Sequence, residues 1–498
     1  MIGALFLAAA IAAPHPKPHP SAAPIPQERT VVTHHSMTLD GKSVGYTATA
    51  GTLIVKDDKG KPEVSFFYTA FTEDGVDRAQ RPVTFIYNGG PGCATVPLRM
   101  AAFGPRRVSF TGVTPTGIIP PYHMVDNQYT LLDKSDLVFI DAPGTGYSRL
   151  MPGVDPKNVY GIDQDAVAFA SFIDRYVTLN DRWNSPKYLL GESYGTPRSA
   201  VLVNDLLNNQ SMAFNGVILL SSVLDFDTVA PGPGNDLPFV TYLPTEAAIH
   251  WYHDTSANKG TLEATVSEAR EFAKGEYASA LMQGSRLSHD EFVKVATEVA
   301  KLTGTSEKYV ELADLRIQPQ RFMKELLRDS AENIGRYDGR FKGFDFDPIG
   351  DSQDWDASDA YTSPAMHAQF LNYTRNDLGW KSDDSYSDCD GKVNQAWDYT
   401  RKNNGNSWIG PTVSNDLQNA MTQNPQMRVF DGAGYFDLAT PFGAAEWTMS
   451  HLELQPALQS HVAIHYYPSG HMVYLNVEAL ATFHADLDKF YDETTGGQ

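Results

Sequence analysis

The chain has 498 residues, of which 42% are hydrophobic, 20% charged and 11% aromatic, enough to bury a large core. Its 39 basic residues face 60 acidic ones, a formal net charge of -21, which argues against nucleic acid or an anionic membrane as the main partner. Two cysteines are too few for a disulfide scaffold and no Cys/His cluster has zinc-site spacing; no metal and no organic cofactor is expected.

The chain opens MIGALFLAAAIAAP. The apolar run from Ile2 to Ala13 is too short to cross a bilayer, and Ala10, Ala12 and Ala13 offer small residues for cleavage, so 1–13 reads as a signal peptide. Residues 14–30 follow as a Pro-rich extended linker. No later segment is apolar enough to span a membrane, so a secreted or periplasmic protein is expected. In that setting Cys93 and Cys389 either form one long-range bridge or remain free thiols.

From Val31 to Phe71 the pattern is strand-like, with TATAGTLIV and VSFFYTAF separated by the turn KDDKGKPE. Apolar runs suited to a doubly covered sheet then recur at VTFIY (83–87), DLVFID (136–141), KYLL (187–190) and GVILLSS (216–222). Helical periodicity separates them at 164–177 and 199–207, which predicts an α/β fold with a mostly parallel sheet. After about Asp225 the pattern changes. The breaker cluster PGPGNDLP leads into helical sequence, shown best by Ser288 to Leu302. There Ser288 and Glu291 form a capping box, Phe292, Val295, Val299 and Leu302 share one face, and Gly304 ends the run. Sheet periodicity returns at MRVFDG (427–432) and VAIHYY (462–467). The reading is one α/β domain, 31–225 and 386–498, interrupted by a helical cap at 226–385.

Two loops carry chemistry. TFIYNGGPGCAT breaks from a strand into Asn88, Gly89, Gly90, Pro91 and Gly92, a loop that exposes backbone N–H groups to negative charge. No G-K-[ST] follows and Arg99 is the first basic residue, which disfavours a bound phosphate. YLLGESYGTPRSAVLV places Ser193 in G-x-S-x-G between a strand and a helix, the context of a nucleophile elbow. A serine hydroxyl needs a base oriented by a carboxylate, and the order Ser, acid, His points to the C-terminal part. Asp437 lies on the loop after MRVF and His471 follows a Pro-Ser-Gly turn; Asp431, nearer its strand end, is the rival acid. In this arrangement Tyr194 and, from the Gly-rich loop, Gly90 supply the two N–H donors for a developing oxyanion.

Together NGGPGC (88–93), FGPRRV (103–108), DLVFIDAPGTGYS (136–148), GESYGT (191–196), GYFDLATP (434–441) and GHMVYLN (470–476) resemble the signature blocks of the serine carboxypeptidase family, in its bacterial exported form. The resemblance spans roughly 40–480 and implies an α/β-hydrolase fold with Ser193 as nucleophile, Asp437 as acid, His471 as base, and Gly90 and Tyr194 as oxyanion donors. It further implies that Asn88, Gly89 and Glu192 hold a substrate's terminal carboxylate, while the family's second glutamate falls at Ala102. If Val96 to Phe103 is helical, Arg99 lies one turn before Ala102 and is expected to compensate by pairing with that carboxylate. The expected activity is release of C-terminal residues from peptides. An esterase or acyltransferase on the same scaffold is the alternative, and a non-catalytic exported binding protein a weaker one.

Overall fold

A computed structural model describes residues 26–110, 112, 119–256, 259–401 and 411–495; the signal-peptide segment and linker residues 14–25 lie outside them. Strands β1 (Thr30–Leu39), β2 (Lys42–Lys56) and β3 (Pro62–Glu73) form an antiparallel meander. Asp40 and Gly41, with φ of 47° and 75°, make the two-residue turn that joins the first pair; both angles suit the mirror-image turns that match strand twist.

The apolar runs become β4 (Val83–Tyr87), β5 (Asp136–Ile140), β6 (Lys187–Glu192), β7 (Gly216–Leu220), β8 (Arg428–Gly434) and β9 (Val462–Tyr467). Among the described residues these strands, the meander and one further short strand form a 10-stranded sheet. Its order is β1-β2-β3-β5-β4-β6-β7-β8-β9, with a short strand, Arg149–Leu150, also paired to β3. Pairing is parallel from β5 to β9, and β4 to β7 are buried along their whole length, the reason their sequences are unbroken apolar runs. Alternation sends successive side chains to opposite faces. Tyr87 packs edge-on to Phe169 of helix α1 (Ile162–Leu179), ring centroids 5.2 Å apart. Tyr188 packs 4.5 Å from Tyr491 near the C-terminus, on the other face. The molecule is an α/β-hydrolase fold, a mostly parallel sheet covered by helices on both sides.

Between β7 and β8 the chain is mainly helical, including α3 (Leu237–His253), α4 (His289–Thr303) and α5 (Ser363–Asn376), with one small hairpin of Glu332–Ile334 and Lys342–Phe344. The capping signals of α4 act as expected. The Glu291 N–H donates to Ser288 Oγ at 3.3 Å, and Gly304 closes the helix at φ 72°. Cys93 and Cys389 are joined as a disulfide, so of the two states left open above the structure holds the bridge. Around it the Ala94 N–H donates to Asp388 O (2.6 Å) and the Asp390 N–H to Gly92 O (2.8 Å), binding the Gly-rich loop to the end of the helical region. Among the described residues no helix is long and apolar enough to cross a membrane.

Candidate active site

The loops at the carboxyl ends of β4, β6, β8 and β9 converge on one edge of the sheet, where ligands bind in open α/β folds. β6 turns directly into α2 (Gly195–Asn209), and at the turn Ser193 has φ 59°. A left-handed serine is strained by roughly 1–2 kcal/mol, and the turn is held by the Ser193 N–H to Leu220 O (3.0 Å) and the Thr196 N–H to Ser193 O (2.8 Å). Gly191 is required for so sharp a bend, because a Cβ there would stand 2.1 Å from Gly195 O. The result is a partly exposed Ser193 facing a cavity of about 130 Å³ that His471, Asn88, Gly89, Gly90 and Glu192 also line.

Asp437 and His471, 34 residues apart in sequence, meet in space. His471 Nδ1 lies 2.7 Å from Asp437 Oδ2, both side chains buried. The N–H groups of Ala439 (2.7 Å) and Thr440 (3.0 Å) donate to Asp437 Oδ1, and the Thr440 hydroxyl donates to Oδ2 at 2.8 Å. Burial pushes the imidazole pKa down, but the adjacent Asp437 charge and hydrogen bond, with Glu192, hold it above the ordinary histidine range. Asp431 sits on β8 and accepts instead from Ser222 Oγ (2.6 Å). Among the described residues the Ser193 hydroxyl makes no hydrogen bond; it and His471 line the same cavity.

The Gly-rich loop packs against the elbow. A Cβ on Gly89 would lie 2.3 Å from Tyr194 N, so only glycine permits this approach. Among the described residues neither the Gly90 nor the Tyr194 N–H has an acceptor; Gly90 lines the cavity with Ser193, and Tyr194 is the next residue after it. Asn88 Nδ2 donates to Glu192 Oε1 at 2.7 Å. Glu192 is 3% exposed, and burial lifts its carboxyl to about 7, against the pull of His471 and the Asn88 bond. At neutral pH this acid therefore exists partly as a neutral donor.

Two supporting residues escaped the sequence reading. Buried Arg198 donates from Nη1 to Asn88 O (2.8 Å), pairs through Nε with Asp165 Oδ2 (2.6 Å) and lies 4.4 Å over Phe169. Its position on the face shared with Leu202 and Leu206 was the available signal. Thr440, three residues after Asp437, is the usual spacing for a side chain that closes a carboxylate turn.

Arg99 does not reach the cavity, a correction to the expectation above. Leu98–Phe103 winds as a π-helix rather than an α-helix, with every residue buried. The Arg99 guanidinium turns inward to Asp141 Oδ1 (3.2 Å), 4.8 Å from the Phe370 ring. Asp141 also accepts from Tyr386 Oη (2.8 Å) and the Thr95 N–H (3.1 Å), so Arg99 neutralises a structural carboxylate beneath the site. A larger groove, about 970 Å³, lies between the helical region and β9, and none of the residues above lines it.

A family model described as serine carboxypeptidase matches residues 41–480. The pheromone-processing carboxypeptidase KEX1 of Saccharomyces cerevisiae is 28% identical over 165 residues, 32% of this chain and 21% of that protein. The serine carboxypeptidase ctsa-3.2 of Caenorhabditis elegans is 24% identical over 164 residues, 31% of this chain and 29% of that protein. The alignments thus span less than a third of the length of either relative. Among solved structures, a proline iminopeptidase of Mycobacterium smegmatis is similar at 13% identity and a TM-score of 0.36, covering 89% of this chain and 98% of that one.

Proposed function

This chain belongs to the serine carboxypeptidase family, and from that premise we propose that it is an exported enzyme that releases C-terminal residues from peptides through an acyl-enzyme on Ser193. Membership makes it a serine peptidase. One observation carries the finer reading: the strained Ser193, the acceptor-free Gly90 and a His471 held 2.7 Å from buried Asp437 border one cavity, and the Tyr194 N–H next to Ser193 also has no acceptor among the described residues.

In the proposed reaction Ser193 Oγ attacks the scissile carbonyl carbon while His471 Nε2 takes the hydroxyl proton. Asp437 keeps Nδ1 protonated and stabilises the imidazolium. The Gly90 and Tyr194 amides donate to the tetrahedral oxyanion, a contribution of about 3–4 kcal/mol for a single well-placed donor in comparable sites. Collapse breaks the C–N bond, and His471 returns its proton to the departing amine. Water then attacks the ester with His471 again as base, which frees the shortened peptide and restores the Ser193 hydroxyl. In this reading Asn88, Gly89 and neutral Glu192 hydrogen-bond the substrate's terminal carboxylate. No step requires a metal or organic cofactor.

The test is cleavage of matched peptides with free and amidated C-termini by the protein and by Ser193→Ala, followed by mass. Stepwise loss from the free terminus only, absent in Ser193→Ala, is expected. Equal cleavage of both peptides would refute the reading. Rapid ester hydrolysis with no peptide cleavage would favour an esterase or acyltransferase, the reading to which the apolar Ala102 gives weight.

A further inference from the structure

Resting on that reading, a substrate carboxylate beside Glu192 lacks the second partner that the family's glutamate would supply, because Ala102 is apolar and fully buried. Arg99 is committed to Asp141. We infer that Arg336, at the tip of the hairpin between Ile334 and Lys342, pairs with the C-terminal carboxylate of the substrate and sets the preference for free peptide termini.

Among the described residues Arg336 is the only lysine or arginine lining the cavity that holds Ser193, His471, Asn88 and Glu192. Its side chain is exposed, and it makes no ion pair within the described residues. Of the acids lining the cavity, Asp388 Oδ2 pairs with His367 Nδ1 (2.9 Å) and Asp359 Oδ1 accepts from Ser363 Oγ (2.5 Å), and among the described residues neither forms an ion pair with Arg336. A guanidinium offers a planar fork that matches a carboxylate with two parallel hydrogen bonds, and it stays charged at every accessible pH.

The backbone beneath Arg336 is anchored to the reacting groups. The Arg336 N–H donates to Asp356 Oδ1 (3.2 Å), and its carbonyl accepts from the Leu438 N–H (3.1 Å), one residue beyond Asp437. The next residue, Tyr337, accepts the His471 N–H at 2.6 Å and lays its ring 5.3 Å from the imidazole. The Arg336 guanidinium in turn lies 5.3 Å from the Tyr337 ring. Arg340 closes the hairpin to the His471 loop through Nη1 to Pro468 O (2.9 Å). The cation is therefore carried on a tip bonded to both catalytic loops, so little ordering is needed when a carboxylate arrives.

The experiment compares Arg336→Ala, Arg336→Gln and Arg336→Lys with the unaltered protein on peptides differing only in a free or amidated C-terminus. In Arg336→Ala and Arg336→Gln the ratio of kcat/KM for acid over amide should fall about 10- to 100-fold, the scale of a lost charge-assisted pair. The loss should appear in KM for the acid rather than in kcat, and Arg336→Lys should recover part of it. Above pH 7, where Glu192 is ionised, the unaltered protein should keep a reduced acid preference that both neutral variants lose. An unchanged ratio in both neutral variants, beside a clear preference in the unaltered protein, overturns the role of Arg336 alone. No preference in the unaltered protein overturns the carboxypeptidase reading and this role with it. A fall in kcat with KM unchanged in all three variants also refutes the assignment, since it would mark the tip as a purely structural support for His471.

Discussion

Glu192→Gln isolates the proton that the site stores. The carboxyl is 3% exposed, and its pKa rises from the ordinary 4.5 to about 7. A shift of that size corresponds to about 3 kcal/mol of preference for the neutral form. The sign follows from proton counting: between pH 4.5 and 7 the folded state holds a proton that the unfolded chain has released, so stability falls as pH rises through this window. Glutamine keeps the shape and a donor but cannot ionise. The variant should lose this part of the pH dependence of denaturant unfolding and gain up to about 3 kcal/mol relative to the parent above pH 7. On the proposed reading the same proton matters for binding, because an ionised Glu192 would repel a substrate carboxylate where a neutral one donates to it. For free-terminus peptides KM should rise roughly tenfold between pH 6 and 8 in the parent, tracking loss of the neutral acid, and stay nearly flat in Glu192→Gln. Amidated peptides serve as the control. If KM for the acid climbs with the same midpoint in the glutamine variant, Glu192 is not the group responsible.

Asp437→Asn should lower kcat by about 10⁴, the loss seen when a buried triad acid ceases to fix the histidine tautomer. Asp431→Asn, altering an acid bonded to Ser222, should change kcat less than threefold; reversed outcomes in steady-state assays would exchange the two roles. Thiol titration of the denatured, unreduced protein should find no free groups, since Cys93 and Cys389 are joined, and two reactive thiols would contradict the bridge.

Much of the architecture is legible in short stretches, because its causes are local. β4 and β9 coincide with the runs VTFIY and VAIHYY, and α4 starts and stops at the Ser288 and Gly304 signals. The Ser193 turn is legible for the same reason: a strand, a helix and two glycines within a few residues force it. The candidate acid was not settled by such rules. Asp431, within β8, and Asp437, just past it, both lie near the end of that strand, and what separates them is which one a loop ending at His471 packs against.

The same limit explains the misplaced arginine. A helical turn can place Arg99 near Ala102, but whether its guanidinium points outward depends on Asp141 and Phe370, residues brought beneath it by the sheet and by α5. Arg336 is the converse case, an unremarkable residue in a hairpin whose tip reaches the site only because Leu438 and His471 bond to it. Likewise, cysteine spacing left the pairing of Cys93 with Cys389 open until folding set the two segments side by side. Periodicity and turn chemistry act over a few bonds and can be read along the chain. The direction in which a buried charge turns depends on partners hundreds of residues away, and those are set only when the chain packs.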